Sequence, residues 1–233
     1  MLALVDRPSV AFNPCTIPAK TLFIESGYAY QKLSPKGYTH DMPQTELRLG
    51  LGHNVEVDIF PPNYTEQTTP SQSGLSYSSV GLKYIAYFDS HQLLTLQGYI
   101  SPPSGNQYFG AINTGFLING IYNYNFDSGI SFSTLLGLAS TSAPPYSPEK
   151  NYYSINPIIE FGVPLNDHIT SYIELYSQSK TAINQGWGLS MDGGLMFLVS
   201  SNTTLDVSCG QRIVGALNNV DHYFGAGFAV GFN

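Results

Sequence analysis

Glu46 and Arg48 are separated by a single leucine, and Glu56 and Asp58 by a single valine. Glu25, Lys83, Glu160, Glu174, Asp192, Asp206 and Arg212 sit in similar surroundings, each flanked on both sides by an uncharged residue. Successive side chains of a strand point to opposite faces, so residues spaced by two line one surface. Acids gathered on such a surface can set ion preference or hold a substrate, and they can equally form a network with Arg48, Lys83 and Arg212 that braces a polar interior. Both readings are open. Carboxylates at close range resist full ionisation together, so the effective charge falls below the formal count.

Tyr87, Tyr99, Tyr152, Tyr172 and Tyr176 fall on the same phase as the charges, with Phe23 and Phe60. Their rings fill space and bond to neighbouring acids, or stack on an aromatic or sugar solute. Asn113, Asn119, Asn123 and Asn156 add neutral hydrogen-bonding capacity to that phase. No catalytic residue is expected. A lipid hydrolase needs a nucleophile and base near the lipid interface. Yet His53, His91 and His168 sit in tight turns, and His40 and His222 lie in or beside longer loops. Neither HxH nor CxxC spacing supports a metal site, and no cofactor is expected. Cys15 and Cys209 read as structural, and whether they pair is left open.

These residues need strands to position them. Alternation places strands at 21–32, 45–52, 54–60, 79–88, 92–101, 111–126, 129–141, 151–164, 168–179, 187–199, 203–215 and 222–233. On the other phase stand Leu47, Leu49, Leu51; Val55, Val57, Ile59; Leu94, Leu96, Ile100; Ile112, Phe116, Ile118; and Phe224, Phe228, Val230, Phe232. No charged side chain is expected there. Tight turns at His53-Asn54, Asp89-Ser90-His91, Asp127-Ser128, Asn166-Asp167 and Ser201-Asn202 carry hairpin chemistry. They alternate with longer loops such as 34–44, 61–77, 102–109 and 141–150. Short turns alternating with long loops are a feature of outer-membrane barrels. The expected fold is therefore all-β: a twelve-stranded, antiparallel, up-and-down transmembrane barrel over 21–233 with both termini periplasmic. Residues 1–20, with three prolines, form an irregular leader, periplasmic or luminal, and the export signal is expected to have been removed.

Composition agrees. Only 11% of residues are charged, against about 25% in soluble domains, while Tyr (17) and Phe (13) abound. Tyr28, Tyr30, Tyr84, Tyr122, Tyr124 and Tyr153 lie on the oily phase near strand ends, as an aromatic girdle requires. A net charge of −7 argues against nucleic acid, which needs a basic patch. A soluble lipocalin-like barrel would leave the low charge count and the loop asymmetry unexplained. The expected surroundings are outer-membrane lipid and lipopolysaccharide, with a small-molecule solute as the other partner; oligomeric state is not set by the sequence.

Several short motifs carry a family resemblance: Glu25-Ser26-Gly27-Tyr28, Leu47-Arg48-Leu49-Gly50-Leu51, Gly81-Leu82-Lys83-Tyr84, Ser101-Pro102-Pro103-Ser104-Gly105, Glu174-Leu175-Tyr176 and Leu205-Asp206-Val207-Ser208-Cys209-Gly210. From Thr21 onward the chain resembles bacterial outer-membrane proteins linked to the meta-pathway of phenol degradation, with the leader outside the resemblance. The resemblance implies a barrel and uptake of small aromatic compounds, and a shared interior network at Glu25, Arg48, Glu56, Lys83, Glu174 and Asp206. The expected activity is passive diffusion of small solutes through a polar lumen. The alternative is a non-conducting barrel that binds or adheres through loops 34–44 and 61–77.

Overall fold

The computed structural model describes every residue except Tyr146 and Asn233. Asn233, the expected end of the last strand, and Tyr146, within loop 141–150, therefore lie outside the described residues. The strands are β1 (Leu22–Leu33), β2 (Tyr38–Met42), β3 (Glu46–Gly52), β4 (Val55–Phe60), β5 (Tyr64–Thr68), β6 (Ser71–Leu75), β7 (Ser79–Phe88), β8 (Gln92–Ser101), β9 (Gly115–Asn125), β10 (Ser131–Ser142), β11 (Asn151–Asn166), β12 (Ile169–Gln178), β13 (Gly188–Ser200), β14 (Thr203–Gly215) and β15 (Val220–Phe232). No described helix is long and apolar enough to cross a membrane.

All pairings are antiparallel. β15 runs back through β14 to β7, then β4, β3 and β1, and β1 pairs with β15 from Leu22↔Phe232 to Leu33↔Val220. Twelve strands thus close on themselves, and closure removes the sheet edges that hydrocarbon cannot satisfy. The tight connections have the backbone they need. His53 (φ 52) and Asn54 (φ 62) both take the left-handed conformation of a two-residue hairpin. Asp89 Oδ1 accepts the backbone N–H groups of His91 and Gln92 at 2.8 Å each, fixing the β7–β8 turn.

Outward apolar side chains such as Leu82 (55%), Leu96 (50%), Leu136 (55%) and Ile173 (51%) are exposed to a degree no soluble wall tolerates around a full circuit. Lipid is their solvent. Facing inward, Glu25, Arg48, Glu56, Asp58 and Lys83 have no measurable exposure. One charge departs from this rule: Lys32 pairs with His222 on the outward phase, at the loop end of β1 beyond Tyr28 and Tyr30.

The structure corrects three further expectations. Tyr87 does not face the lumen. β7 bulges between Ile85, opposite Thr95, and Tyr87, opposite Leu94, so the extra residue Ala86 flips the phase. Tyr87 is 53% exposed on the outward face, and its hydroxyl donates to Asp89 Oδ2 at 2.8 Å. The sixth expected strand begins at Gly115, so Ile112 belongs to an outer loop in which Ser104 bridges Ala111. Finally, β2, β5 and β6 arise inside loops 34–44 and 61–77, where only irregular chain was expected. β3 pairs with the turn-side half of β1, and β2 with Ala29–Lys32 of its loop-side half. β5 and β6 extend this flap above one side of the rim.

Candidate functional site

Residues 1–20 lie inside the barrel. The segment runs up from the start of β1, turns near Val10 and Phe12, and returns toward the turn side. There Met1 and Leu4 pack against Val5, Ile17, Phe23 and Ala229, with Met196. Pro8, Pro14 and Pro18 bar regular pairing, so its backbone polar groups need side-chain partners. Within the segment, Asn13 Nδ2 donates to the carbonyls of Ala3 and Val5 at 3.2 Å each, and Asp6 Oδ1 accepts Asn13 N–H at 2.7 Å.

The wall supplies the rest. Glu25 accepts the N–H groups of Asp6 (3.0 and 3.1 Å) and Arg7 (2.9 Å). Glu174 accepts those of Val10 (3.1 Å) and Ala11 (2.7 Å), and Glu56 that of Ile17 (2.6 Å). Arg48 donates to the carbonyls of Leu4 and of Cys15 (3.2 Å). Thr95 Oγ1 donates to Pro14 O at 2.6 Å, and the Tyr172 hydroxyl to Pro8 O at 3.3 Å. The luminal charges thus grip a main chain.

Ion pairs tie the same groups together. Arg48 meets Glu25 Oε1 at 2.9 Å and Glu56 Oε1 at 2.8 Å; Lys83 Nζ meets Glu56 Oε1 at 3.0 Å and Asp6 Oδ2 at 2.9 Å. Arg7 reaches across to Asp206 Oδ1 at 3.2 Å. Buried charges persist when they are paired and hydrogen-bonded, as these are. Asp58 stands one step outward, where its Oδ2 accepts the Tyr99 hydroxyl at 2.9 Å; Gln97 also bonds that hydroxyl. Glu46 lies beside the cluster with a buried Oε1 that has no hydrogen-bond partner among the described residues.

On the opposite wall, Glu160, Glu174 and Asp192 are directly paired across β11, β12 and β13. Among the described residues no cation is hydrogen-bonded to this carboxylate row, and the N–H groups of Val10 and Ala11 meet its centre at Glu174. Tyr176 stands beside it, packed with Phe12 against Ala11, Ile121, Leu135 and Ile158. Those apolar inward residues break the polar phase because they seat the leader.

Two expected site residues stand apart. Arg212 is near the loop end of β14, donating to Ala216 O at 3.1 Å and pairing with Asp221 at 3.4 Å. Tyr152 donates to Thr181 O at 3.2 Å under the β12–β13 loop. Sequence reasoning missed Asp6, Arg7 and Phe12. The signal was a charge pair within a proline-interrupted segment, next to a lumen with surplus acid. Cys15 lies in the leader and Cys209 on the outward face of β14, both as free thiols on opposite sides of the wall. Burial pushes the Cys15 thiol above its ordinary pKa, against the pull of Lys83 and Arg48.

A closed antiparallel barrel with a lipid-compatible exterior and a charged interior defines an integral outer-membrane β-barrel protein. Within that class, residues 6–230 match the family described as "Putative MetA-pathway of phenol degradation", and the chain belongs to it. The match begins at Asp6, so most of the leader is family sequence, contrary to the expectation from its motifs. No individually curated protein matches. Among solved structures, the chain is similar to the KdgM porin in complex with disordered oligogalacturonate (TM-score 0.59, 12% identity, 91% of this chain and 99% of that one). It is also similar to the NanC porin (0.59, 10%, 91% and 99%). A third likeness is to the transport unit of the autotransporter AIDA-I from Escherichia coli (0.51, 10%, 100% and 94%). At such identities the likeness is one of fold.

Proposed function

We propose that this protein is a non-catalytic outer-membrane channel for small solutes, aromatic compounds among them, which cross by passive diffusion. The observation that carries this reading is the series of cavities along the barrel axis. One of about 310 Å³ lies beside the leader toward the turns, and two of about 410 and 350 Å³ open toward the loops. Its fold neighbours include proteins described as porins, and its family is named for phenol degradation. Both support the reading. Lipid and lipopolysaccharide surround the wall, the termini are periplasmic, and the acid surplus of the lumen favours cations.

A second reading has its own observation. The leader fills the centre of the lumen, and β2, β5 and β6 build a flap on the rim, as a non-conducting barrel for surface binding would have. Single-channel recording of the refolded chain, with phenol added afterwards, separates the two. Current steps that phenol partly blocks support the channel. A bilayer that stays silent before and after phenol, from a barrel shown to be folded by heat-modifiable migration, counts against it and favours surface binding.

A further inference from the structure

Phe12, at the apex of the leader, borders all three luminal cavities. Among the described residues it is also the one shared by the 410 Å³ outer vestibule and the 310 Å³ turn-side cavity. Its ring packs 5.5 Å from Tyr99 and 6.3 Å from Phe60, and those two rings lie 5.3 Å apart, edge to face. Tyr77 and Phe116 also line the vestibule, and none of the described residues lining it is charged. Asn156 also lines it, with a buried Oδ1 that accepts no hydrogen bond from the described residues. Apart from Phe12 and the apolar contacts of Met1, Leu4, Val5, Ala11 and Ile17, the leader is held by polar anchors to its backbone and by ion pairs. Phe12 itself is held by those rings and by the apolar cluster of Ile121, Leu135 and Ile158.

We propose that Phe12 is a gate between the vestibule and the turn-side cavity, and that a neutral aromatic solute bearing a hydrogen-bond donor opens it. The solute takes the place of Phe12 against Tyr99 and Phe60, ring for ring, and gives its donor to Asn156 Oδ1. Offset and edge-on aromatic contacts are interchangeable between partners of similar size, so the solute gains the ring contacts that the displaced Phe12 gives up. A charged solute finds no counter-ion in the vestibule and would enter it at a desolvation cost. An aliphatic alcohol supplies the donor without the ring. Occupancy and opening are thereby coupled, because the solute binds better where Phe12 has left. This rests on the channel reading, since the gate matters only if the lumen conducts.

Cys15 lines the turn-side cavity and serves as a native reporter of passage. In a Cys209→Ala background, a membrane-impermeant methanethiosulfonate is added on the loop side of the full-length barrel, with phenol or cyclohexanol present. Phenol should accelerate Cys15 modification at least tenfold, and cyclohexanol should not. Phe12→Ala should modify fast without phenol, and Asn156→Leu should lose most of the phenol effect. If Phe12→Ala does not fold, Phe12→Leu replaces it, with an intermediate rate expected. Fast modification of Phe12→Ala with no phenol effect on the parent would overturn solute gating. A Phe12→Ala rate equal to that of the parent would overturn the partition itself. Single-channel current keeps the two proposals apart. Phe12→Ala steps that phenol blocks, with no phenol effect on the parent, leave the channel standing and remove the gate. Silence from the folded parent and from Phe12→Ala removes the channel.

Discussion

Replacing Arg48 by Met should free the leader while leaving the barrel closed. Arg48 is fully buried and bonds Glu25, Glu56 and the carbonyls of Leu4 and Cys15. Removing one partner of a buried ion pair costs about 3–5 kcal/mol, because the remaining charges are left without compensation. The antiparallel ladder joining β3 to β1 and β4 is backbone-to-backbone, so the wall does not depend on the guanidinium. The cheapest relief is for water to enter and the leader to leave. At about 1.4 kcal/mol per factor of ten, the undocked population rises roughly 100-fold or more. Thiol modification of Cys15 in a Cys209→Ala background reads this population directly. The Arg48 charge pulls the Cys15 thiol down against the upward push of burial, so its loss alone would slow modification. Acceleration can therefore come only from access. A folded Arg48→Met barrel whose Cys15 reacts at the parent rate would refute the reasoning and make the network a brace of the wall instead.

Three further outcomes are expected. Glu174→Lys should shift selectivity toward anions, and because Glu174 also accepts the N–H groups of Val10 and Ala11 it should loosen the leader apex; an unchanged reversal potential would exclude it from the conducting path. Leu136→Arg, on the lipid face at 55% exposure, should cost up to ~2–4 kcal/mol in bilayer-folding equilibria, whereas Tyr87→Arg, near the turn, should cost far less. Asp89 is held below its ordinary carboxylate range by the His91 and Tyr87 hydrogen bonds, so its contribution to the β7–β8 turn is present above that range and lost as pH falls. Protection of the His91 and Gln92 amides, relative to the intrinsic exchange rate at each pH, should then be low throughout in Asp89→Ala, while the parent loses its protection only in acid.

Much of the barrel was legible because hydrocarbon imposes a hard rule on every second residue. Lys83 and Glu174 could not face lipid, so the phase of β7 and β12 followed from their positions. Turn chemistry such as His53-Asn54 then marked the hairpins. The rule fails where the wall changes register. A single extra residue, Ala86, carried Tyr87 to the outside, and nothing in the local sequence separates a bulge from continued alternation. Five-residue strands such as β2 and β5 escaped because they are too short to show a period inside Pro- and Ser-rich loops, and because they pair with each other across two separate loops.

Sequence alone determined the all-β class, the strand order implied by hairpins, and which residues are charged and shielded from lipid. Alternation is a local property, and the solvent on each face selects it residue by residue. Only the tertiary structure decided what the shielded charges face. Asp6 meets Lys83 and Arg7 meets Asp206 across 77 and 199 residues of chain. A proline-broken segment has no periodicity to announce its position. Its site was set by main-chain groups that needed partners and by wall carboxylates that needed donors, a match that exists only once the barrel has closed.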